Sequence, residues 1–227
     1  MSWFSLTRVP EPEVMAASEE VEAYASAAGQ TYLDRLDDTF VEHALRLVRG
    51  RETGCGLDIG TGPGQIVLKL ARRLPNWQFI AVDRSKNMIR QGRATSAAGL
   101  RVCFFVADGT RLPFSDACFD LVMCNSVLHH LSEPHRLFSE VARVASPRGA
   151  ILVRDLRRPS RFAYPLHVRW YGRHYSGLMY KLYRDSVRAA YTRSELAGML
   201  RASPLAGCAR VFRHQRTHLG LEQPVQD

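Results

Sequence analysis

The sequence predicts an α/β fold, a mostly parallel sheet with helices on both faces. Two observations carry this. Five short apolar runs recur through the middle of the chain: GLDIG (56–60), FIAVD (79–83), VCFFVAD (102–108), FDLVMCN (119–125) and AILVRDL (150–156). Stretches with helical apolar spacing separate most of them. A strand that is apolar along its whole length is buried on both faces, which points to a parallel sheet sandwiched between helices. The 227 residues, 46% of them hydrophobic, suffice for one sizeable core and fit a single domain.

The elements follow in order. Leu33, Leu36, Phe40, Ala44 and Leu47 form one apolar stripe that Gly50 stops, and Gly29 separates this helix from an earlier one around 18–27. A helix over 65–74 turns Ile66, Leu70 and Leu74 inward and ends at Pro75; another covers 85–94. Ser132 is placed to cap a helix carrying Leu137, Val141 and Val144. Residues 157–191 form a long aromatic and basic insertion. Thr192-Arg193-Ser194-Glu195 reads as a capping box that opens another helix. ARVFRH (209–214) and THLGLEQ (217–223) read as a hairpin that closes the sheet with an antiparallel strand. The single domain thus divides into an N-terminal helical cap (1–50), a core (51–156), an insertion (157–191) and a C-terminal helix and hairpin (192–227).

Composition narrows the classes. No apolar run reaches membrane-spanning length, and MSWFSLTRVP lacks a signal core and cleavage site, so a cytoplasmic protein is expected. Five cysteines without a CxxC pair indicate neither a disulfide framework nor a zinc site. Net charge is +9, but unevenly spread: residues 10–45 carry nine acids and one base, residues 154–216 fourteen bases and three acids. A basic final third suits an acidic partner such as RNA, an anionic small molecule or an anionic membrane. It equally suits arginine-rich usage on a solvated face, since only three of the 31 basic residues are lysine.

The most specific stretch is GLDIGTGPGQ (56–65), a strand running into a glycine-rich turn and then a helix. Glycines at 60, 62 and 64 permit close approach to the main chain, and the helix start offers free N–H groups. The next strand ends in Asp83, placed to accept both hydroxyls of a ribose. The spacing is GxGxG preceded by Asp58, not the GxGxxG of dinucleotide sites. It resembles the class I S-adenosylmethionine-dependent methyltransferases, in a branch that acts on small molecules. The resemblance continues in order through VDRSKNMI (82–89), VADGTRLPF (106–114), FDLVMCNSVLHHL (119–131) and VARVASPRGAILVRDL (141–156). Thr61 stands where many relatives have cysteine, and the usual Pro-Gly-Gly turn reads Pro147-Arg148-Gly149-Ala150.

That resemblance implies a Rossmann-like, doubly wound, seven-stranded sheet, mostly parallel with an antiparallel last strand. N-terminal helices and a helical lid over 157–191 accompany it. It implies S-adenosylmethionine as cofactor and S-adenosylhomocysteine as product. The implied cofactor residues are Asp58, Gly60, Thr61, Gly62 and Gly64 in the first loop, then Asp83, Arg84 and Met88. Ala107, Asp108 and Gly109 follow, with Asp108 at the adenine amino group, and Asn125 and Ser126 line the methionine end. Asp58 is equally a purely structural support of its loop.

Methyl transfer to a protonated acceptor needs a base, and His129 and His130 follow the fourth strand beside the expected methyl site. They are the candidate catalytic residues; a packing or capping role is the alternative. His129, His130 and His135 cluster, but no acid at ligand spacing accompanies them, so no metal site is expected. Candidate acceptor contacts are Tyr24, His130, Asp155, Arg158 and Tyr175. In the insertion, Tyr175, Leu178, Met179, Leu182 and Ser186 share one helical face. The expected partner is a small-molecule acceptor, aromatic or anionic, for a monomer or homodimer. An RNA methyltransferase is the second reading, and a non-catalytic cofactor-binding subunit the third.

Overall fold

The computed structural model describes residues 3–11 and 31–225. Seven strands form one sheet in the order β3-β2-β1-β4-β5-β7-β6. They are β1 (Gly54–Ile59), β2 (Trp77–Asp83), β3 (Val102–Val106), β4 (Phe119–Asn125), β5 (Ala145–Leu156), β6 (Arg210–His214) and β7 (His218–Gln223). All run parallel except β7, which pairs antiparallel with both neighbours. The helices are α1 (Thr31–Leu47), α2 (Gln65–Arg73), α3 (Lys86–Thr95), α4 (Pro134–Val144), α5 (Tyr164–Gly172), α6 (Gly177–Ala189) and α7 (Arg193–Arg201). Among the described residues, no helix is long and apolar enough to cross a membrane.

Period-two alternation divides the core into two layers. Leu57, Ile59, Val122, Cys124, Ile151 and Val153 pack against Leu137 and Val141 of α4 and Leu196 of α7. Phe79, Ala81, Leu121, Met123 and Leu152 pack against Phe40 of α1 and Ile66 and Leu70 of α2 on the opposite face. Burial on both faces explains why the central strands read as unbroken apolar runs.

Several expected boundaries shift for local reasons. The strand expected over 102–108 ends at Val106: Ala107 N–H makes the last bond toward β2, to Asp83 O (3.1 Å), and Asp108 then forms a bridge with Arg111. The expected turn at Pro147–Ala150 is an irregularity within β5, where the pairing jumps from Phe119–Ala145 to Leu121–Ala150. Ser132 is not the cap of α4. The helix begins one residue after Glu133, at Pro134, whose fixed φ and missing N–H suit a first helical position. The capping box at Thr192–Glu195 is present as expected. The helix expected around 18–27 and Gly29 lie outside the described residues.

A buried arginine ties the cap to the sheet. Arg154 of β5 is 1% exposed. It donates to Asn125 Oδ1 (2.9 Å), Thr39 Oγ1 (2.8 Å) and Leu36 O (3.1 Å), and lies over the Phe40 ring. Burial lowers its pKa to about 10 and pushes nearby Asp37 up to about 6. One side chain thereby fixes α1 over the carboxyl ends of β4 and β5. Arg154→Ala strips these partners at once and is expected to lower the unfolding free energy by about 3 kcal/mol in denaturant titration. Arg154→Met, which keeps the volume and removes the charge, should cost less; equal losses would mean that polar bonding and not volume dominates.

Candidate active site

β1 and β4 are neighbours, but the chain leaves them in opposite directions: β1 leads through α2 to β2, and β4 through α4 to β5. Their following loops therefore part and leave a crevice at the carboxyl end of the sheet. A cavity lies there.

Backbone geometry shapes the first loop. Gly60 adopts φ 69°, and its N–H and that of Thr61 both donate to Val82 O at 2.8 and 3.0 Å. A Cβ at residue 60 would stand 2.2 Å from Val127 Cγ2. Gly64, at φ 87°, turns the chain into α2, and a Cβ there would meet the Phe104 ring at 2.7 Å. Both positions thus require glycine for conformation and for space.

Asp83 joins two loops. Its Oδ2 accepts from Gly62 N–H (2.9 Å) and its Oδ1 from Ser85 N–H (2.8 Å). Burial raises its pKa even so. Each oxygen keeps a second lone pair, so the carboxylate is fixed in place and still able to accept. Asp108 accepts from Thr110 N–H (2.8 Å) and hydroxyl (2.7 Å) through one oxygen. Asp58 lies fully buried beneath the loop and accepts from the Thr61 hydroxyl (2.7 Å). Burial, aided by the charges of Asp83 and Asp37, pushes its pKa up to about 7. Ser126, a non-glycine residue at φ 59°, marks local backbone strain at the end of β4.

The other end of the cavity holds a histidine–carboxylate pair. Asp155 Oδ1 meets His129 Nδ1 at 2.6 Å, and its Oδ2 accepts from His129 N–H at 2.9 Å. Asp155 and His129 are 1% and 3% exposed. Burial opposes protonation of His129, but Asp155 and Glu11 outweigh it and raise the pKa. Glu11 arrives from the N-terminal segment, which Arg8 pins by donating to Ala189 O (2.6 Å) and His129 O (3.1 Å). Burial raises the Glu11 pKa. The walls are apolar and aromatic: Leu33 and Leu36 of α1, Leu156, and Tyr175, Met179, Leu182 and Tyr183 at α6.

Known proteins share both sequence and fold with this chain. A family described as "Methyltransferase domain" matches residues 57–153. A demethylmenaquinone methyltransferase of Roseiflexus castenholzii is 34% identical over 106 residues, 47% of this chain and 44% of its own. A UbiE ubiquinone/menaquinone biosynthesis C-methyltransferase of Syntrophotalea carbinolica is 28% identical over 200 residues, 81% of each chain. In the first curated relatives the matched stretch spans about half of their length. The plantazolicin methyltransferase BpumL in complex with SAH superposes with TM-score 0.72 at 13% identity, covering 92% of this chain and 91% of that one. Its fold is that of the class I S-adenosylmethionine-dependent methyltransferases, and residues 57–153 match a methyltransferase domain. The cofactor of that family is S-adenosylmethionine.

Within this family reading, the cavity gathers most of the expected cofactor residues. Gly60, Gly62, Asp83, Arg84 and Met88 line it, as do Ala107, Asp108, Gly109, Asn125 and Ser126. Asp58, Thr61 and Gly64 do not; they support the loop from below or behind. Of the acceptor candidates, His130 and Tyr175 line the cavity, together with His129. Asp155 does not face the acceptor space directly but stands behind His129. Arg158 is a correction: it is buried away from the cavity, bonded to Ala190 O and Glu195, because the Arg157–Tyr191 bridge draws it against the start of α7. Tyr24 lies outside the described residues. Sequence reasoning missed Tyr183 and the apolar pair Leu33 and Leu36 as wall residues, though the stripe through Met179 and Leu182 was its signal. It gave no signal for Glu11.

Two outcomes are expected. Asp83→Asn replaces one acceptor oxygen by a donor against a backbone N–H. It should weaken S-adenosylhomocysteine binding by roughly 10-fold or more in calorimetry, at about 1.4 kcal/mol per tenfold; unchanged affinity would dissociate Asp83 from the cofactor. Asp58 keeps its proton longer folded than unfolded, so its contribution to stability falls as pH rises from about 4 to about 7. The ligand-free Asp58→Asn variant should therefore gain melting temperature relative to wild type across that window; a flat difference would refute a buried proton at Asp58.

Proposed function

We propose that the protein transfers a methyl group from S-adenosylmethionine to a small, largely apolar acceptor, by in-line displacement at the methyl carbon. The carrying observation is one continuous cavity. It runs from the glycine loop and Asp83, past Asn125, to His129, His130 and the wall of α6. The first part suits an adenosine and a methionine moiety, and the second an aromatic or conjugated acceptor. The quinone in the Roseiflexus relative's name belongs to that chemical class.

The sulfonium already activates the methyl group, so the chain's task is to hold donor and acceptor in line and dry. Gly60, Gly62 and Asp83 hold the cofactor, with Asp108 toward the adenine. Leu36, Met179, Leu182 and Tyr183 exclude water and grip the acceptor body. His129, oriented by Asp155, meets the acceptor's polar reacting group, with His130 beside it. The Tyr183 hydroxyl is buried with no hydrogen-bond partner among the described residues, which suits a second polar group on the acceptor. Residues 157–191 serve as the lid, because α6 walls the acceptor space. A concave, largely apolar space of this kind favours a small molecule over RNA. Part of the basic excess is also internal to the fold, as Arg154 and Arg158 are buried.

A screen of aromatic and quinol acceptors with labelled methyl donor tests this reading. Expected is transfer that His129→Gln lowers by about 100-fold or more, with S-adenosylhomocysteine affinity retained. Met179→Trp should raise the acceptor KM while leaving cofactor affinity unchanged. Tight, salt-sensitive RNA binding with no small-molecule turnover would overturn the small-molecule assignment.

A further inference from the structure

Three side chains from distant parts of the sequence converge at the acceptor end of the cavity. Glu11 Oε2 lies 3.7 Å from His129 Nε2 and 3.6 Å from His130 Nδ1. The three ligand atoms all lie within 4.8 Å of one another. The Glu11 side chain is 10% exposed, and its Oε2 has no hydrogen-bond partner among the described residues. These separations are too long for hydrogen bonds. They are close to the roughly 3.4 Å that divides neighbouring ligands around a tetrahedral ion with bonds of about 2.1 Å.

Asp155 supplies a second, independent pointer. Its Oδ1 lies 2.6 Å from His129 Nδ1, which turns Nε2 toward the carboxylate of Glu11. An imidazole nitrogen and a carboxylate so placed in a buried site call for a positive charge between them, a proton or a metal ion. The carboxylate–histidine–metal arrangement resolves this, because the outer carboxylate fixes the tautomer and orients the ring.

We infer that Glu11, His129 and His130 form a site for one divalent transition-metal ion. Two imidazoles and one carboxylate suit zinc, iron, cobalt or nickel better than magnesium or calcium. The inference rests on the proposed acceptor site, since both histidines line that cavity. With the ion bound, the ion rather than His129 itself would meet an oxygen of the acceptor, orient it and make it more acidic. Asp155 is a positioning residue for the site, and Arg8 holds the segment that delivers Glu11.

The test uses the full chain, stripped with chelator and titrated with Zn²⁺ and Co²⁺. Metal content is read by mass spectrometry and coordination by the visible bands of Co²⁺. One equivalent per chain with tetrahedral or five-coordinate bands is expected. Glu11→Gln and His130→Ala should each weaken binding roughly 100-fold, and Asp155→Asn by roughly 10- to 100-fold. His135→Ala, at an exposed histidine beside Glu133, should change nothing. Thermal melts confirm that each variant is folded, and Glu11→Gln carries the decision because it preserves shape. Absence of binding, or affinity equal in wild type and Glu11→Gln, overturns the metal site. If cofactor binding and His129-dependent transfer persist in that case, the proposed function stands without the ion. If wild type fails to bind S-adenosylhomocysteine, the proposed function itself fails, whatever the metal content.

Discussion

The site depends on the reversal of strand order at β1 and β4. Two adjacent parallel strands whose connections leave in opposite directions cannot close the space above their carboxyl ends. Everything else is arranged around that gap. The glycine loop turns back over β2 by donating two N–H groups to Val82 O, and Asp83 ties that loop to the start of α3. The pocket is thus shaped by backbone bonds already in place without ligand. A preformed site loses less entropy on binding than one that must be ordered.

The two ends of the cavity use buried charge in different ways. At the cofactor end, Asp58 is held under the loop with its pKa pushed up to about 7, so a carboxyl group serves as packing and hydrogen-bond acceptor for Thr61. At the acceptor end, Asp155 stays hydrogen-bonded to the ring and backbone of His129 and to Leu156 N–H. Arg154, next to it on β5, points to the opposite face and holds α1 over the crevice. Adjacent residues of one strand thereby orient His129 and hold the cap, because successive side chains of a strand leave opposite faces of the sheet.

The N-terminal segment reaches the acceptor site by a separate route. Val9 N–H donates to Arg188 O, and Arg8 bonds to the end of α6 and the backbone of His129. The segment and α6 are consequently one unit at the mouth of the acceptor space. Glu11 and the histidine cluster are thereby tied to α6.

The sequence by itself determined the central strands, their parallel pairing and the residues that line one half of the cavity. These depend on local signals: apolar runs, glycines that a tight loop demands, and an acid at a strand end, each within a few residues of its neighbours. Tertiary structure decided what meets His129 at the other end of the cavity. Glu11 and His129 are separated by 118 positions, and no periodicity links them. Arg158 and Asp155 read alike as polar residues following a strand, yet one bonds the start of α7 and the other orients a histidine. Such roles follow from which surfaces pack together, and packing is set by the whole chain at once. Side chains that meet only through that packing leave no spacing in the sequence to read.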